Sequence, residues 1–230
     1  MAILETVVPW GRSLDEYRRM FNLNPAEFGT ILDCGGGPAS FNAEMHQRGE
    51  RVVSCDPIYQ FSRREIAQRI EETYAVVLEA VRANQDRFVW NVISSPEELG
   101  RVRMASMKQF LADFPQGVKQ GRYVTEALPQ LSFSNHQFDL ALCSHLLFTY
   151  SEQLSLEFHI ASILEMCRVA TEVRVFPLLT HFSGERSPHL QPVINTLRAK
   201  GYRVEIQPVS YEFQRHGNQL LRVLPNTNSM

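Results

Sequence analysis

The chain has 230 residues, 44% hydrophobic and 21% charged, with a formal net charge of −2. This composition supplies one large core, and it gives no field that would draw in nucleic acid without sequence preference. No apolar run is long enough to span a bilayer.

The opening MAILETVVPWGRS lacks a basic stretch ahead of a hydrophobic core, and Cys34, Cys55, Cys143 and Cys167 have no metal-type spacing. The expectation is a cytoplasmic protein with free thiols. Within the N-terminal segment 1–29, Ser13 reads as a helix cap with Glu16 three residues on, and Tyr17, Met20 and Phe21 form one apolar face. Residues 31–42 then read ILDCGGGPASFN. A strand over 30–34 runs into three glycines, and a helix over 39–48 stops at Gly49. Bare glycine backbone turns with positive φ and lets a ligand approach where a Cβ would stand, beside the free N–H groups of a helix start.

A second strand, 51–55, ends at Asp56, and a third is predicted over 122–126. The intervening insertion, 58–121, is far longer than a crossover needs. In FSRREIAQRIEETYAVVLEAVRAN, the residues Ile66, Ile70, Tyr74, Val77, Leu78 and Val81 recur at helical spacing. SSPEELGRVRMASMKQFLADF opens with Ser95, Pro96 and Glu98, which read as cap, first-turn proline and reciprocal capping-box partner. Two helices joined by DRFVWNVI are predicted, either as a lid over a pocket or as a decoration or dimer arm. A fourth strand over 138–143 precedes a helix over 155–169, whose stripe runs through Leu156, His159, Ile160, Ile163, Leu164 and Cys167. Strands at 172–176, 202–210 and 219–224 follow, the last two joined by FQRHGN as an antiparallel hairpin. There is no repeat, and PNTNSM reads as a frayed tail. The alternation predicts an α/β fold with a mainly parallel sheet.

Five parallel strands and a terminal antiparallel pair, together with three motifs, resemble the class I S-adenosylmethionine-dependent methyltransferases. ILDCGGGPA is similar to that family's acid-x-Gly-x-Gly-x-Gly loop, with Asp33, Gly35 and Gly37 in register. VVSCDP puts Asp56 at the end of strand two, and LSFSNHQFDLALCSHLLFTYS looks like the family's segment through strand four. The resemblance covers roughly residues 30–56 and 122–224. It implies a small, bacterial-type member: a single domain over 1–230 with a Rossmann-like, doubly wound, seven-stranded sheet, a C-terminal antiparallel hairpin and a helical insertion between strands two and three. The implied cofactor is S-adenosyl-L-methionine. A nicotinamide-binding protein also has glycines and a following acid, but its third glycine would fall on Ser40, and Asp33 would repel a pyrophosphate. A carboxylate there suits the amine of S-adenosylmethionine, directly or through water. The methyltransferase motif's own third glycine falls on Ala39.

The cofactor-binding residues so implied are Asp33, Gly35, Gly36, Gly37, Asp56, Glu126, Ser144 and His145. Asp56 would accept the ribose hydroxyls, and Glu126 is either an adenine contact or a solvated loop carboxylate. Ligands of open α/β sheets sit beyond the carboxyl ends of the strands. Ser144, His145, Phe148 and Tyr150 after strand four, Thr180, His181 and Phe182 after strand five, and Phe213, Arg215, His216 and Asn218 in the last turn therefore approach the acceptor. Methyl transfer needs alignment and dryness, and a base only if the acceptor must lose a proton. His145 and Tyr150 are the catalytic candidates, His145 as base or merely as the residue that orients its loop. His145, His181 and His216 come from separate loops with no acidic ligand beside them, so no metal is expected. The first helix either docks on the core or folds over the pocket, bringing Arg12 or Tyr17 to the methionine end or the substrate. No NPPY-like segment follows strand four, so a small molecule rather than nucleic acid is the expected acceptor. A homodimer stays open, and no membrane partner is expected. The rivals are a noncatalytic S-adenosylmethionine-binding sensor or scaffold, and an aminopropyl transferase, whose paired acids are missing from CSHLLFTYS.

Overall fold

In the computed structural model, which describes residues 8–24, 27, 29–181 and 184–225, the chain runs α1 (Leu14–Phe21), β1 (Ile31–Cys34), α2 (Phe41–Gln47), β2 (Val52–Cys55), α3 (Arg63–Ala83), α4 (Pro96–Lys119), β3 (Tyr123–Val124), β4 (Phe138–Ser144), α5 (Leu156–Val169), β5 (Ala170–Phe176), α6 (Leu190–Ala199), β6 (Arg203–Pro208) and β7 (Gln219–Leu224). The strands form one sheet in the order β3-β2-β1-β4-β5-β7-β6. β1 to β5 pair in parallel, and β7 lies antiparallel between β5 and β6. The chain winds outward from β1 to β3 and then returns to β4 on the other side. This leaves a crevice beyond the ends of β1 and β4, where such sheets bind ligands.

All four residues of β1 are buried, as in a parallel sheet covered on both faces. Successive side chains point to opposite faces. Leu32, Ala141, Cys143 and Val175 pack with Ile163 and Met166 of α5 and Val193 and Leu197 of α6. Ile31, Leu140, Leu142 and Phe176 instead meet Tyr17, Met20 and Phe21 of α1 and Phe41 and Met45 of α2. The α1 helix thus docks through its expected face, and Ser13 and Glu16 form the capping box.

Three local details differ from expectation. The third strand is only Tyr123–Val124, because the chain turns at an Ala127–Gln130 bridge instead of running on along β2. The helix after the glycines starts at Phe41, with Ser40 as its cap residue. The Ser40 hydroxyl donates to Glu44 at 2.6 Å and meets Ser106 at 3.0 Å, so it makes no backbone cap. At the start of α4, Ser95 accepts the Glu98 N–H at 3.1 Å, but the Glu98 carboxylate takes the N–H of Ser94, not that of Ser95.

The insertion is built as two long helices. Ile66, Ile70, Val77, Leu78 and Val81 are buried and Tyr74 is half-buried. Pro115 sits inside α4 without ending it. A proline at that position leaves the carbonyl four residues earlier without its helix donor. That carbonyl, Leu111, accepts from Arg63 Nε of α3 at 2.8 Å. The helices cross closely at Gly100, where a Cβ would come within 2.3 Å of the Tyr74 hydroxyl. Backbone bonds from Val89 N–H to the Phe213 carbonyl (2.8 Å) and from Arg215 N–H to the Arg87 carbonyl (2.9 Å) tie the segment between the helices to the β6–β7 turn. No helix among the described residues is long and apolar enough to cross a membrane.

Candidate active site

The glycine loop takes the shape that its sequence requires. Gly35 has φ 68° and Gly37 φ 52°, in the left-handed region. Gly36 needs its missing Cβ for another reason: one built there would stand 2.3 Å from the Asp33 carboxylate. Asp56 ties the loop to the end of β2, one carboxylate oxygen accepting the Gly37 N–H at 2.9 Å and the other the Ile58 N–H at 2.8 Å. Burial raises the Asp56 pKa against these two bonds. The Tyr59 hydroxyl donates to the Gly37 carbonyl at 2.8 Å. Gly37 is thus held through both its N–H and its carbonyl, and the Gly35 N–H donates to the Cys55 carbonyl at 2.8 Å.

Asp33 is part of that support and does not stand at the mouth of the loop. It is 1% exposed and accepts the Tyr17 and Ser54 hydroxyls, each at 3.0 Å. Burial pushes its carboxyl up to about 7 against these two bonds.

Above the loop lies a cavity of about 560 Å³. Gly35, Gly36, Gly37, Cys55, Asp56 and Glu126 line one side, and Ser144, His145, Tyr150 and His181 line the ends of β4 and β5. Phe61, Val77, Val81, Phe88 and Leu99 of the insertion supply another wall, with Phe213 and Gln214 from the β6–β7 turn. Glu126 spends its carboxylate locally, accepting the Ser132 N–H at 2.7 Å.

His145 carries φ 53°, a conformation rare outside glycine, and its N–H donates to the Phe176 carbonyl at 2.7 Å. Its Nδ1 lies 2.9 Å from the Ser144 hydroxyl. Burial, then Arg12, Arg103 and His181, lower its pKa well below the ordinary value, so the imidazole is neutral at pH 7. Burial and then Arg12 bring His181 down to about 4. The Tyr150 ring stacks on His181 with centroids 5.7 Å apart, and burial keeps its phenol protonated.

Of the other residues expected at the rim, Phe148 is buried in the core beneath β4, and Thr180 does not reach the cavity wall. Arg215, His216 and Asn218 are absent from that wall because they organise the turn: Arg215 bonds the Asp86 and Phe88 carbonyls, while the His216 N–H and the Asn218 amide donate to Glu212. Phe182 lies outside the described residues. Among the described residues no group of acidic, histidine or cysteine side chains could hold a metal. All four cysteines are buried and free, with Cys34 paired in register with Cys55 and Cys143 on adjacent strands.

Sequence reading missed Arg103, which is 1% exposed and lines the cavity. It pairs with the buried Glu16 carboxylate of α1 and donates to Tyr211 at 3.4 Å, while Tyr211 donates to Glu16 at 3.0 Å. A charge interrupting the apolar positions Leu99, Met107, Phe110 and Phe114 was the available signal. Arg12 also lines the cavity, donating to the Trp10 carbonyl at 3.2 Å.

No family model matches the chain. The uncharacterized protein MJ0045 of Methanocaldococcus jannaschii is 32% identical over 220 residues, covering 95% of this chain and 96% of that protein. The chain belongs to the family of this archaeal protein. Among solved structures, the mitomycin 7-O-methyltransferase MmcR matches with TM-score 0.50 at 13% identity, over 92% of this chain and 53% of that one. A SAM-dependent methyltransferase from Aquifex aeolicus matches with TM-score 0.41 at 14% identity, over 90% of both chains. With its seven strands in the order given and β7 reversed, this chain has the Rossmann-like fold of the class I S-adenosylmethionine-dependent methyltransferases.

Proposed function

We propose that the protein transfers a methyl group from S-adenosyl-L-methionine to a small-molecule acceptor. The observation that carries this reading is a single cavity shared by the Gly35–Gly37 loop, Asp56 and the group His145, Tyr150 and His181. Its volume of about 560 Å³ falls within the ~300–1,000 Å³ common for small-molecule sites. The fold's likeness to a mitomycin 7-O-methyltransferase supports a small-molecule acceptor.

The residues present fit the cofactor. At Gly37 the backbone is open, a Cβ there meeting nothing closer than Asp56 at 3.9 Å, and each Asp56 oxygen, having accepted one backbone N–H, keeps a lone pair for a ribose hydroxyl. Of the other residues on the cavity wall, Glu126 would be the adenine contact, and Ser144 and His145 would border the methionine end. Bound there, the cofactor supplies a methyl carbon activated by its sulfonium. The protein's task is then alignment in a dry site more than strong base catalysis. In the tautomer whose Nδ1–H donates to the Ser144 hydroxyl, His145 Nε2 is free to take a proton from a hydroxyl acceptor, and the protonated Tyr150 phenol orients that acceptor. The insertion acts as a lid whose closure excludes water.

Mass-spectrometric detection of S-adenosylhomocysteine across a panel of small metabolites tests the reading. Turnover with at least one acceptor is expected. Binding of S-adenosylmethionine with no turnover on any of them would favour a sensor. Binding of a nicotinamide dinucleotide in its place would remove the methyltransferase reading.

A further inference from the structure

The buried Asp33 carboxylate is joined to the cavity by hydrogen bonds that have a direction. Asn42 Nδ2 donates to the Ser54 hydroxyl at 3.1 Å, and Ser54 gives its own proton to one Asp33 oxygen at 3.0 Å. The Tyr17 hydroxyl donates to the other oxygen at 3.0 Å. The Tyr17 oxygen is left to accept, and the Ser144 hydroxyl hydrogen-bonds this phenol. Ser144 in turn lies 2.9 Å from His145 Nδ1. Tyr17, Ser144 and His145 line the cavity, whereas Asp33 is 1% exposed. Stacking on Phe41, with centroids 4.1 Å apart, fixes the Tyr17 ring between the two ends.

A hydroxyl has one proton to give, so each link fixes the next. With Asp33 ionised, Tyr17 donates to it, Ser144 to Tyr17 and His145 Nδ1–H to Ser144, leaving Nε2 as an acceptor. With Asp33 protonated on the Tyr17 side, every donor reverses and the ring carries its proton on Nε2. One proton entering at Nε2 and one passing along each bond convert the first state to the second. The carboxyl gains a proton and the imidazole ends neutral. Burial raises the Asp33 carboxyl to about 7, with the Asp56 charge adding to it. Burial, then Arg12, Arg103 and His181, lower His145 well below its ordinary value, so a proton taken at Nε2 rests on Asp33. Burial keeps the other groups around Asp33, Tyr17 and Tyr59, protonated, and Cys34 and Cys143 are raised as well.

We propose that Asp33, Tyr17 and Ser144 are positioning residues that set the tautomer of His145, with Asp33 as the end of the relay that holds the proton taken at Nε2. His145 is then a base only while Asp33 is ionised. The use of that base in methyl transfer rests on the methyltransferase reading, and the relay does not.

Nitrogen NMR on protein isotope-labelled at histidine, with no ligand added, reads the tautomer directly. The His145 signals are those lost in His145→Gln. In the wild type the neutral ring is expected to pass from the Nδ1–H to the Nε2–H form as pH falls from about 8.5 to about 5.5. The midpoint should follow Asp33, at about 7. Tyr17→Phe and Ser144→Ala each cut the chain, so the ring should keep one tautomer throughout. A single tautomer across the range in the wild type, or an imidazolium in place of the switch, overturns the relay. So does a switch that persists in Ser144→Ala or in folded Tyr17→Phe. Ser144 stands at the cavity wall, and its variant decides the matter if Tyr17→Phe does not fold. A protein that turns over no acceptor defeats the methyltransferase reading instead, and the tautomer still decides the relay.

Discussion

The carboxyl group of Asp33 receives two hydroxyl hydrogen bonds, from Tyr17 and Ser54, in a site with almost no solvent. Burial outweighs the bonds and lifts its pKa from 3.8 to about 7. Below pH 4 the folded and unfolded chains both hold this proton. Between pH 4 and 7 the unfolded chain has lost it and the folded chain keeps it, so stability falls as pH rises, by up to about 1.4 kcal/mol per pH unit. Above pH 7 the penalty is complete and constant. Asp33→Asn removes the titration, so urea denaturation should give a variant that gains on the wild type from pH 5 to 7 and runs parallel to it above pH 8. Parallel curves throughout would mean that Asp33 ionises normally. Asp56 faces the cavity, and its prediction concerns binding. Asp56→Ala is expected to weaken S-adenosylhomocysteine by about 2–3 kcal/mol through lost ribose hydrogen bonds. An unchanged affinity by calorimetry would take Asp56 out of the site.

Local pattern made several elements legible before any packing was known. Three glycines after an apolar strand could only be a tight turn, and Gly35 and Gly37 indeed take positive φ. The stripe from Ile66 to Val81 and the cap at Ser95 located two insertion helices because helical period and capping are properties of neighbours in sequence. Contacts between elements left no such trace. Nothing in GRSLDE indicates that Gly11 crosses the glycine loop, or that Tyr17 donates to Asp33 and so fills the carboxylate expected to face a ligand amine. Gly11 gives the element-scale prediction. An alanine there would set its Cβ 2.1 Å from a backbone carbonyl that cannot swing aside, so Gly11→Ala must push the α1 segment and the loop apart. A stability loss of roughly 1–3 kcal/mol is expected from such overpacking, with weaker S-adenosylhomocysteine binding. A variant that melts and binds like the wild type would show that the two segments are not held in contact.

Across the whole molecule, the insertion is fastened to the domain at places far apart in sequence. Arg103 reaches Glu16 across 87 residues, Ser106 meets Ser40, and residues 87–89 bond the β6–β7 turn. Sequence could expose Arg103 only as a charge in an apolar stripe, because its partner belongs to another helix. The fastenings turn the apolar faces of both helices inward, leaving Val76, Val92 and Val118 as the insertion's exposed large hydrophobics. A dimer arm would need a broader apolar face than three valines, whereas a lid needs contact with the bound ligand, and Phe61, Val77, Val81, Phe88 and Leu99 already line the cavity. Ligand binding should therefore steady the insertion as well as the sheet ends, since opening there and loss of ligand become one event. Hydrogen exchange with and without S-adenosylhomocysteine measures this directly. Protection is expected to spread into residues 61–74 and 88–92, far from the glycine loop in sequence. Protection limited to the loop, Asp56 and residues 144–150 would mean that the insertion opens independently of the ligand, and the lid would be wrong.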